Sequence, residues 1–218
     1  MGCLRLMIVS LVCLLSHAQV FFRGNCPKTP IIINFDWNRY LGSWYEQERY
    51  FVGYQTVGRC WRGTYLQDRH SGKISVKLHF WDVVFSRPNM ISVGVIQKRP
   101  YRAPNHLTYT LPGVPGFEDN YEVLATDYDN WTLEYTCSER QPFGHTRIAW
   151  ILTRQPRPHY KVILQAKTTL ASLGIDTKYL RKQDTSCYIE QAPIKHYFKK
   201  MGYQFPCDDL RMPLMIEF

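Results

Sequence analysis

From Trp44 to Arg154 the chain is a succession of short segments in which apolar and polar residues alternate, and turn residues separate them. In the clearest segment, 74–81, every second residue is apolar, so that one face of a strand meets a core or cavity and the other meets water. No convincing helix interrupts the series, which predicts an all-β domain with hairpin-sized connections. The predicted strands are 44–50, 60–67, 74–81, 90–98, 106–111, 121–126, 131–138 and 147–153.

Eight antiparallel strands joined by short connections can close into an up-and-down barrel, which removes exposed edges and leaves an interior able to hold one small ligand. A two-sheet sandwich is the competing architecture, but it normally needs longer crossovers. After Pro158 the apolar residues change to helical spacing, and Gly174 suits the helix end. The predicted fold is an eight-stranded antiparallel barrel with one C-terminal α-helix, about 158–174, packed on its side.

The first 18 residues combine one arginine, an apolar run and small residues at 16 and 18, the pattern of a secretory signal peptide. We therefore expect a mature chain that begins at Gln19, a barrel domain over 19–187 and a C-terminal extension over 188–218. The formal net charge of +9 falls to +8 when Arg5 leaves. Because the charges are dispersed, nucleic acid is not an expected partner, whereas peripheral contact with a lipid or membrane surface stays open.

Five cysteines follow the predicted signal peptide, and disulfides are the default in an oxidising compartment. The sequence does not choose the pairing, and the odd number leaves one thiol that is free, bridged to another chain or part of a reshuffled pair. No metal or other cofactor is expected, because the histidines are scattered and Cys-x-x-Cys is absent. Asn130 begins an Asn-Trp-Thr glycosylation sequon.

Three separated motifs then fall at matching places on the strand pattern. They are Gly42-Ser43-Trp44 at the first strand, Thr126-Asp127-Tyr128 in the hairpin between the sixth and seventh, and Arg154 at the end of the eighth. Together they resemble the signature of the lipocalin family, and within it the branch of apolipoprotein D and related insect lipocalins. The resemblance covers roughly residues 26–187 and includes the surrounding runs at 34–36, 41–46, 124–128 and 149–154.

These motif residues have a physical role of their own. Arg154 can lay its guanidinium across the Trp44 indole, a cation–π contact of about 0.5 to 2 kcal/mol that closes one barrel end. Asp127 can accept backbone N–H groups in its own turn. Gly42, Thr126 and Tyr128 complete this structural set, which we expect to build the container and not to perform chemistry.

The resemblance implies a secreted, extracellular carrier that reversibly binds a small hydrophobic molecule such as a lipid, fatty acid, retinoid, steroid or bilin. It also implies the disulfides Cys26–Cys137 and Cys60–Cys187, and leaves Cys207 unassigned, so that a disulfide-linked partner is one option. The alternative function is a secreted lipocalin that works through protein or membrane-surface contacts with no obligatory small ligand.

Alternation along the strands predicts an apolar, aromatic cavity lining. Tyr54 is expected on the mouth loop 51–58, between the first two strands. The predicted ligand-contacting residues are Tyr54, Tyr65, Leu78, Phe80, Val93, Tyr109, Leu133, Tyr135 and Trp150.

Three carboxylates break the alternation: Glu46 and Glu48 share the face of Trp44, and Glu122 shares a face with Leu124. A bulge or a place at the rim is favoured, because an unpaired buried carboxylate is costly. An inward glutamate would favour a ligand with amine or hydroxyl groups. No nucleophile with a base is evident, so we predict that the protein is not an enzyme. The remote alternative is a lipocalin-type isomerase, which would need a cavity thiol that the implied disulfides do not leave.

Overall fold

The computed structural model describes residues 20–98, 103–110 and 118–188, without the side chains of residues 54, 91–98, 109–110 and 118–119. The predicted signal peptide 1–18, Cys207 and residues 189–218 lie outside the described residues. The strands are β1 (Val20–Phe22), β2 (Gly42–Arg49), β3 (Gly58–Gln67), β4 (Ile74–Asp82), β5 (Arg87–Lys98), β6 (His106–Thr110), β7 (Glu118–Thr126), β8 (Trp131–Arg140), β9 (Gly144–Thr153) and β10 (Arg181–Lys182). The α-helices are α1 (Trp37–Tyr40) and α2 (Tyr160–Ser172), and 3-10 helices cover Gly53–Val57 and Thr177–Tyr179.

The strands close into a ring. From β2 to β9 each strand pairs antiparallel with the next, and β9 also pairs with β2 through Glu46 and Leu152. Eight hydrogen-bonded strands therefore surround one interior, as the sequence predicts. The two remaining strands are short additions: β1 pairs with β9 and β10 pairs with β2. Among the described residues, no helix is long and apolar enough to span a lipid bilayer.

Helix α2 lies against the outside of β8 and β9, in agreement with the helical spacing of the sequence. Its Ala166 and Leu170 side chains are fully buried, whereas Leu164 on the opposite side is 58% exposed. The His159 ring accepts the Lys161 amide at the start of the helix. Beyond its end, Gly174 has a φ of +75°, a conformation that glycine adopts without a steric cost.

Two residues of β8 that were predicted to line the cavity, Leu133 and Tyr135, do not face the interior. Glu134 pairs with Trp150 of β9, whereas Leu133 pairs with Ile151 and Tyr135 pairs with Ala149. Because neighbours along a strand face opposite sides, Leu133 and Tyr135 lie on the outer face of β8, the strand that α2 contacts, and do not line the interior. The alternation was misleading here because the helix covers this strand, which leaves both of its faces buried.

A bulge in β2 separates the two glutamates that share the face of Trp44 in the sequence. The register against β9 shifts between Glu46 and Glu48, so Gln47 is the extra residue. Glu48 accordingly lies outside, where its carboxylate accepts the Lys167 ammonium of α2 at 2.9 Å. Glu46 stays inside and is 4% exposed. Glu122 pairs with Tyr135 and therefore lies on the outer face.

Two disulfides attach the ends of the described chain to the ring. Cys26 bonds to Cys137 of β8 with their Cα atoms 5.9 Å apart, and Cys60 of β3 bonds to Cys187 with their Cα atoms 6.3 Å apart. Both pairings agree with those that the family resemblance implies. They close loops of more than a hundred residues, which strongly restricts the unfolded chain.

Candidate functional site

One end of the barrel is closed by Arg154 and Trp44. The Arg154 guanidinium carbon lies 3.7 Å from the Trp44 ring centroid, and Trp44 is fully buried. The guanidinium also donates to five backbone carbonyls, those of Arg39, Tyr40, Leu41, Ser43 and Tyr128, at 2.6–3.1 Å. Gly42 has a φ of +97°, and a Cβ there would lie 3.4 Å from the guanidinium. The arginine thus ties α1, the start of β2 and the β7–β8 turn together.

The β7–β8 turn is held by Asp127. Its carboxylate accepts the backbone N–H groups of Asp129, Asn130 and Trp131 at 2.8–3.2 Å. Thr126 accepts the Tyr128 amide through its hydroxyl oxygen, and the Tyr128 hydroxyl in turn accepts the Asp36 amide at the start of α1. Asn130 is exposed in this turn, and its glycosylation remains a prediction.

The wall of the interior includes several residues that the sequence places there. Tyr65 shares the face of Val76, and Leu78 pairs with Gly63, the partner of Trp44, so these residues face inward. Leu78 is only partly buried although it faces the interior of the ring, which indicates that it borders open space. Trp150 faces inward opposite Glu134. The side chains of Tyr54, Val93 and Tyr109 lie outside the described residues.

Nearer the other end, Phe80 stacks on Trp61. The ring centroids are 4.3 Å apart with an interplanar angle of 12°. Trp61 is 1% exposed, and its indole donates to the Gly58 carbonyl. Gly58 must lack a side chain, because a Cβ there would overlap the Phe80 ring. This stacked pair forms an aromatic part of the wall near the loop between β2 and β3.

Glu134 forms a buried polar cluster in the middle of this wall. Its Oε1 accepts the Tyr40 hydroxyl at 2.6 Å and the Tyr65 hydroxyl at 2.5 Å, and the Tyr65 hydroxyl lies 2.7 Å from that of Tyr121. Thr132 donates to the Tyr40 oxygen at 3.2 Å. Burial raises the pKa of the Glu134 carboxyl, and the tyrosine hydroxyl groups of the cluster oppose that rise.

A second buried carboxylate, Glu46, has a cationic partner. Arg49 donates to it at 2.6 Å, and the Gln55 amide donates to its other oxygen at 2.8 Å. Gln55 belongs to the 3-10 helix between β2 and β3, and its side-chain oxygen Oε1 accepts the indole N–H of Trp150 at 3.2 Å. Burial raises the pKa of Glu46, and Arg49 opposes the rise. This network fastens the mouth loop to the interior.

Sequence reasoning missed Glu134, Tyr40, Tyr121 and Arg49 as interior residues. Glu134 was hidden because it alternates with Leu133 and Tyr135, which look like the buried face. For Glu46 the sequence favoured a bulge or a place at the rim over an inward carboxylate, and the structure shows the inward position, where Arg49 pairs with the charge. Within residues 20–98, 103–110 and 118–188, no three His, Cys, Asp or Glu side chains are grouped so as to hold a metal ion.

Comparisons with known proteins agree with this architecture. Residues 35–185 match the family model described as a lipocalin-like domain. Apolipoprotein D of Cavia porcellus is 32% identical over 193 residues, which cover 84% of this chain and 96% of that protein. The bilin-binding protein of Pieris brassicae is 30% identical over 183 residues, which cover 82% of this chain and 90% of that protein.

A solved structure shows the same fold. The insecticyanin of the tobacco hornworm Manduca sexta superposes with a TM-score of 0.66. It covers 76% of this chain and 89% of its own, at 22% sequence identity. At that identity the likeness supports the barrel and its helix, while the relatives above carry the family assignment.

Proposed function

The chain belongs to the lipocalin-like family, and from that premise we propose that it is a secreted carrier that reversibly binds one small hydrophobic molecule inside the barrel. The observation that carries the proposal is the closed ring of eight strands around an interior that Leu78 and other inward residues border. A barrel of eight strands is wide enough to hold one small ligand.

The lining indicates the kind of ligand. Trp61, Phe80 and Trp150 supply flat aromatic surface, which suits lipophilic molecules with rings or chains. The candidate classes are lipids, fatty acids, retinoids, steroids and bilins, and one relative is named for binding a bilin. The interior groups that could act as acid or base are engaged in hydrogen bonds with one another, which fits a binding role better than catalysis.

Secretion is part of the same proposal. The apolar segment at residues 6–15 and the small residues at 16 and 18 support cleavage before Gln19. The two disulfides are consistent with folding in an oxidising compartment. N-terminal sequencing of protein from the medium of expressing eukaryotic cells should begin at Gln19.

The carrier function is tested on that secreted protein. Native mass spectrometry should show a protein carrying one small molecule, and extraction with organic solvent should remove it and give a compound that absorbance and mass spectra identify. The proposal would be wrong if no ligand is extracted and a panel of lipids, retinoids, steroids and bilins leaves the tryptophan fluorescence unchanged.

A further inference from the structure

The two buried carboxylates of the interior differ in their partners. Glu46 is neutralised by Arg49, whereas among the described residues Glu134 forms no salt bridge with a lysine or arginine. Its partners are hydroxyl groups of Tyr40 and Tyr65. A buried carboxylate that has only neutral donors is costly to the fold, whether it stays charged without a cation or takes up a proton. A further hydrogen-bond donor from a ligand would therefore stabilise the Glu134 carboxylate.

The hydrogen bonds of this cluster run in one direction. Each tyrosine and threonine hydroxyl has a single hydrogen to donate. Tyr40 and Tyr65 give theirs to Glu134, so Tyr65 must accept from Tyr121 and Tyr40 must accept from Thr132. Every hydroxyl hydrogen is thereby committed, and what the cluster can still offer a ligand is acceptor oxygen.

The cluster also borders the interior. The side chains of Glu134 and Tyr121 both point into the ring of strands, where the Tyr65 hydroxyl joins them, and both residues are buried there. Glu134 lies one inward position above Thr132, next to the closed end, and Val123 of β7 and Trp150 of β9 flank it. A ligand that enters with an elongated body would bring its leading end to this point.

We propose that Glu134, with Tyr40, Tyr65 and Tyr121, forms a polar subsite deep in the barrel that selects ligands whose leading end donates hydrogen bonds, such as an ammonium, a hydroxyl or a ring N–H. The cluster disfavours a leading carboxylate, because two anions would then face each other in a low-dielectric interior. This inference rests on the proposed carrier function and names the ligand chemistry that the carrier prefers.

The test uses three ligands with the same twelve-carbon chain. The purified mature protein, freed of ligand by extraction, binds the neutral fluorescent probe N-phenyl-1-naphthylamine, and dodecylamine, 1-dodecanol and dodecanoate compete for it at neutral pH. Dodecylamine and 1-dodecanol should displace the probe at concentrations about tenfold lower than dodecanoate, a factor that corresponds to about 1.4 kcal/mol.

Glu134→Gln keeps the shape of the side chain and removes its charge. We expect it to reduce the discrimination against dodecanoate to about threefold or less, or about 0.6 kcal/mol. Glu48→Gln is the matched control, because Glu48 lies on the outer face beside Lys167, and it should retain the wild-type ratio. Circular dichroism establishes that each variant is folded. The comparison of the three ligands on the wild-type protein tests the proposal even if a variant fails to fold.

The outcomes separate the two proposals. If the wild type binds all three ligands equally, or if folded Glu134→Gln keeps the wild-type ratio, the polar subsite is refuted while the carrier function stands. If the wild type binds neither the probe nor any of the three ligands, the carrier function itself fails.

Discussion

Trp44 and Glu134 are both buried inward residues, but only one of them has all its partners fixed within the fold. Trp44 donates to the Tyr40 carbonyl at 2.9 Å and is covered by Arg154. Glu134 is surrounded by tyrosine hydroxyls and has no cation beside it among the described residues. Trp44 therefore stabilises the fold. Glu134 costs the fold some stability and can recognise a ligand group.

Trp44→Ala should lower the free energy of unfolding by about 3 to 5 kcal/mol, because it removes a fully buried indole and the ring beneath Arg154. Urea unfolding followed by circular dichroism measures the loss. Trp81→Ala is the control, since Trp81 is only partly buried, and should cost less. A Trp44→Ala protein with full stability and a selective loss of ligand binding would contradict the structural role.

Glu134 predicts a specific dependence of stability on pH. Burial raises its folded pKa above the ordinary value of 4.5, so the folded state binds this proton more tightly than the unfolded chain. The resulting stabilisation is fully present below 4.5 and is lost as the pH rises through the folded pKa. The unfolding free energy of the wild type minus that of Glu134→Gln should therefore increase as the pH falls toward 4.5. A difference that does not vary with pH would refute the raised pKa.

At the scale of elements, helix α2 covers the outer face of β8, so this strand is buried on both faces. The helix contacts β8 and β9, and its Leu170 is fully buried. The outer face of β8 carries Leu133 and Tyr135, while Glu134 faces the interior. The helix therefore stabilises the barrel wall from outside, opposite the polar cluster.

Leu170→Ala should cost about 2 to 5 kcal/mol of unfolding free energy, because it opens a cavity between α2 and the barrel. Leu164→Ala, in the same helix but 58% exposed, should change stability by less than about 0.5 kcal/mol. Urea unfolding of both variants provides the comparison. Equal effects would mean that the helix does not pack through its Leu170 side.

Much of the element pattern could be predicted from the sequence, because strand alternation and helical spacing are local signals. The faces of β8 could not, since a strand covered on both sides has no polar side to mark its orientation. The polar cluster joins Tyr40, Tyr65 and Glu134, which are far apart in the sequence and meet only when the ring closes. The bulge at Gln47 was foreseen only as one explanation of the broken alternation.

For the whole molecule, the closed ring creates an interior with a structural floor, a polar cluster above it and an aromatic wall toward the mouth. Arg154 holds the floor through five carbonyls, and Gln55 fastens the mouth loop to Glu46 and Trp150. Leu78 borders the space between these two ends. We therefore expect the ligand to bind in that space.

The most direct test of a ligand site inside the barrel compares two variants, Leu78→Trp and Lys77→Trp, with the wild type. The quantity measured is the dissociation constant of N-phenyl-1-naphthylamine for each protein. The two substitutions are adjacent but lie on opposite faces of β4, so only the first adds an indole to the interior. Leu78→Trp, folded by circular dichroism, should weaken binding at least about tenfold, while Lys77→Trp should bind as the wild type does. Equal binding by the wild type and both variants would contradict a ligand site inside the barrel.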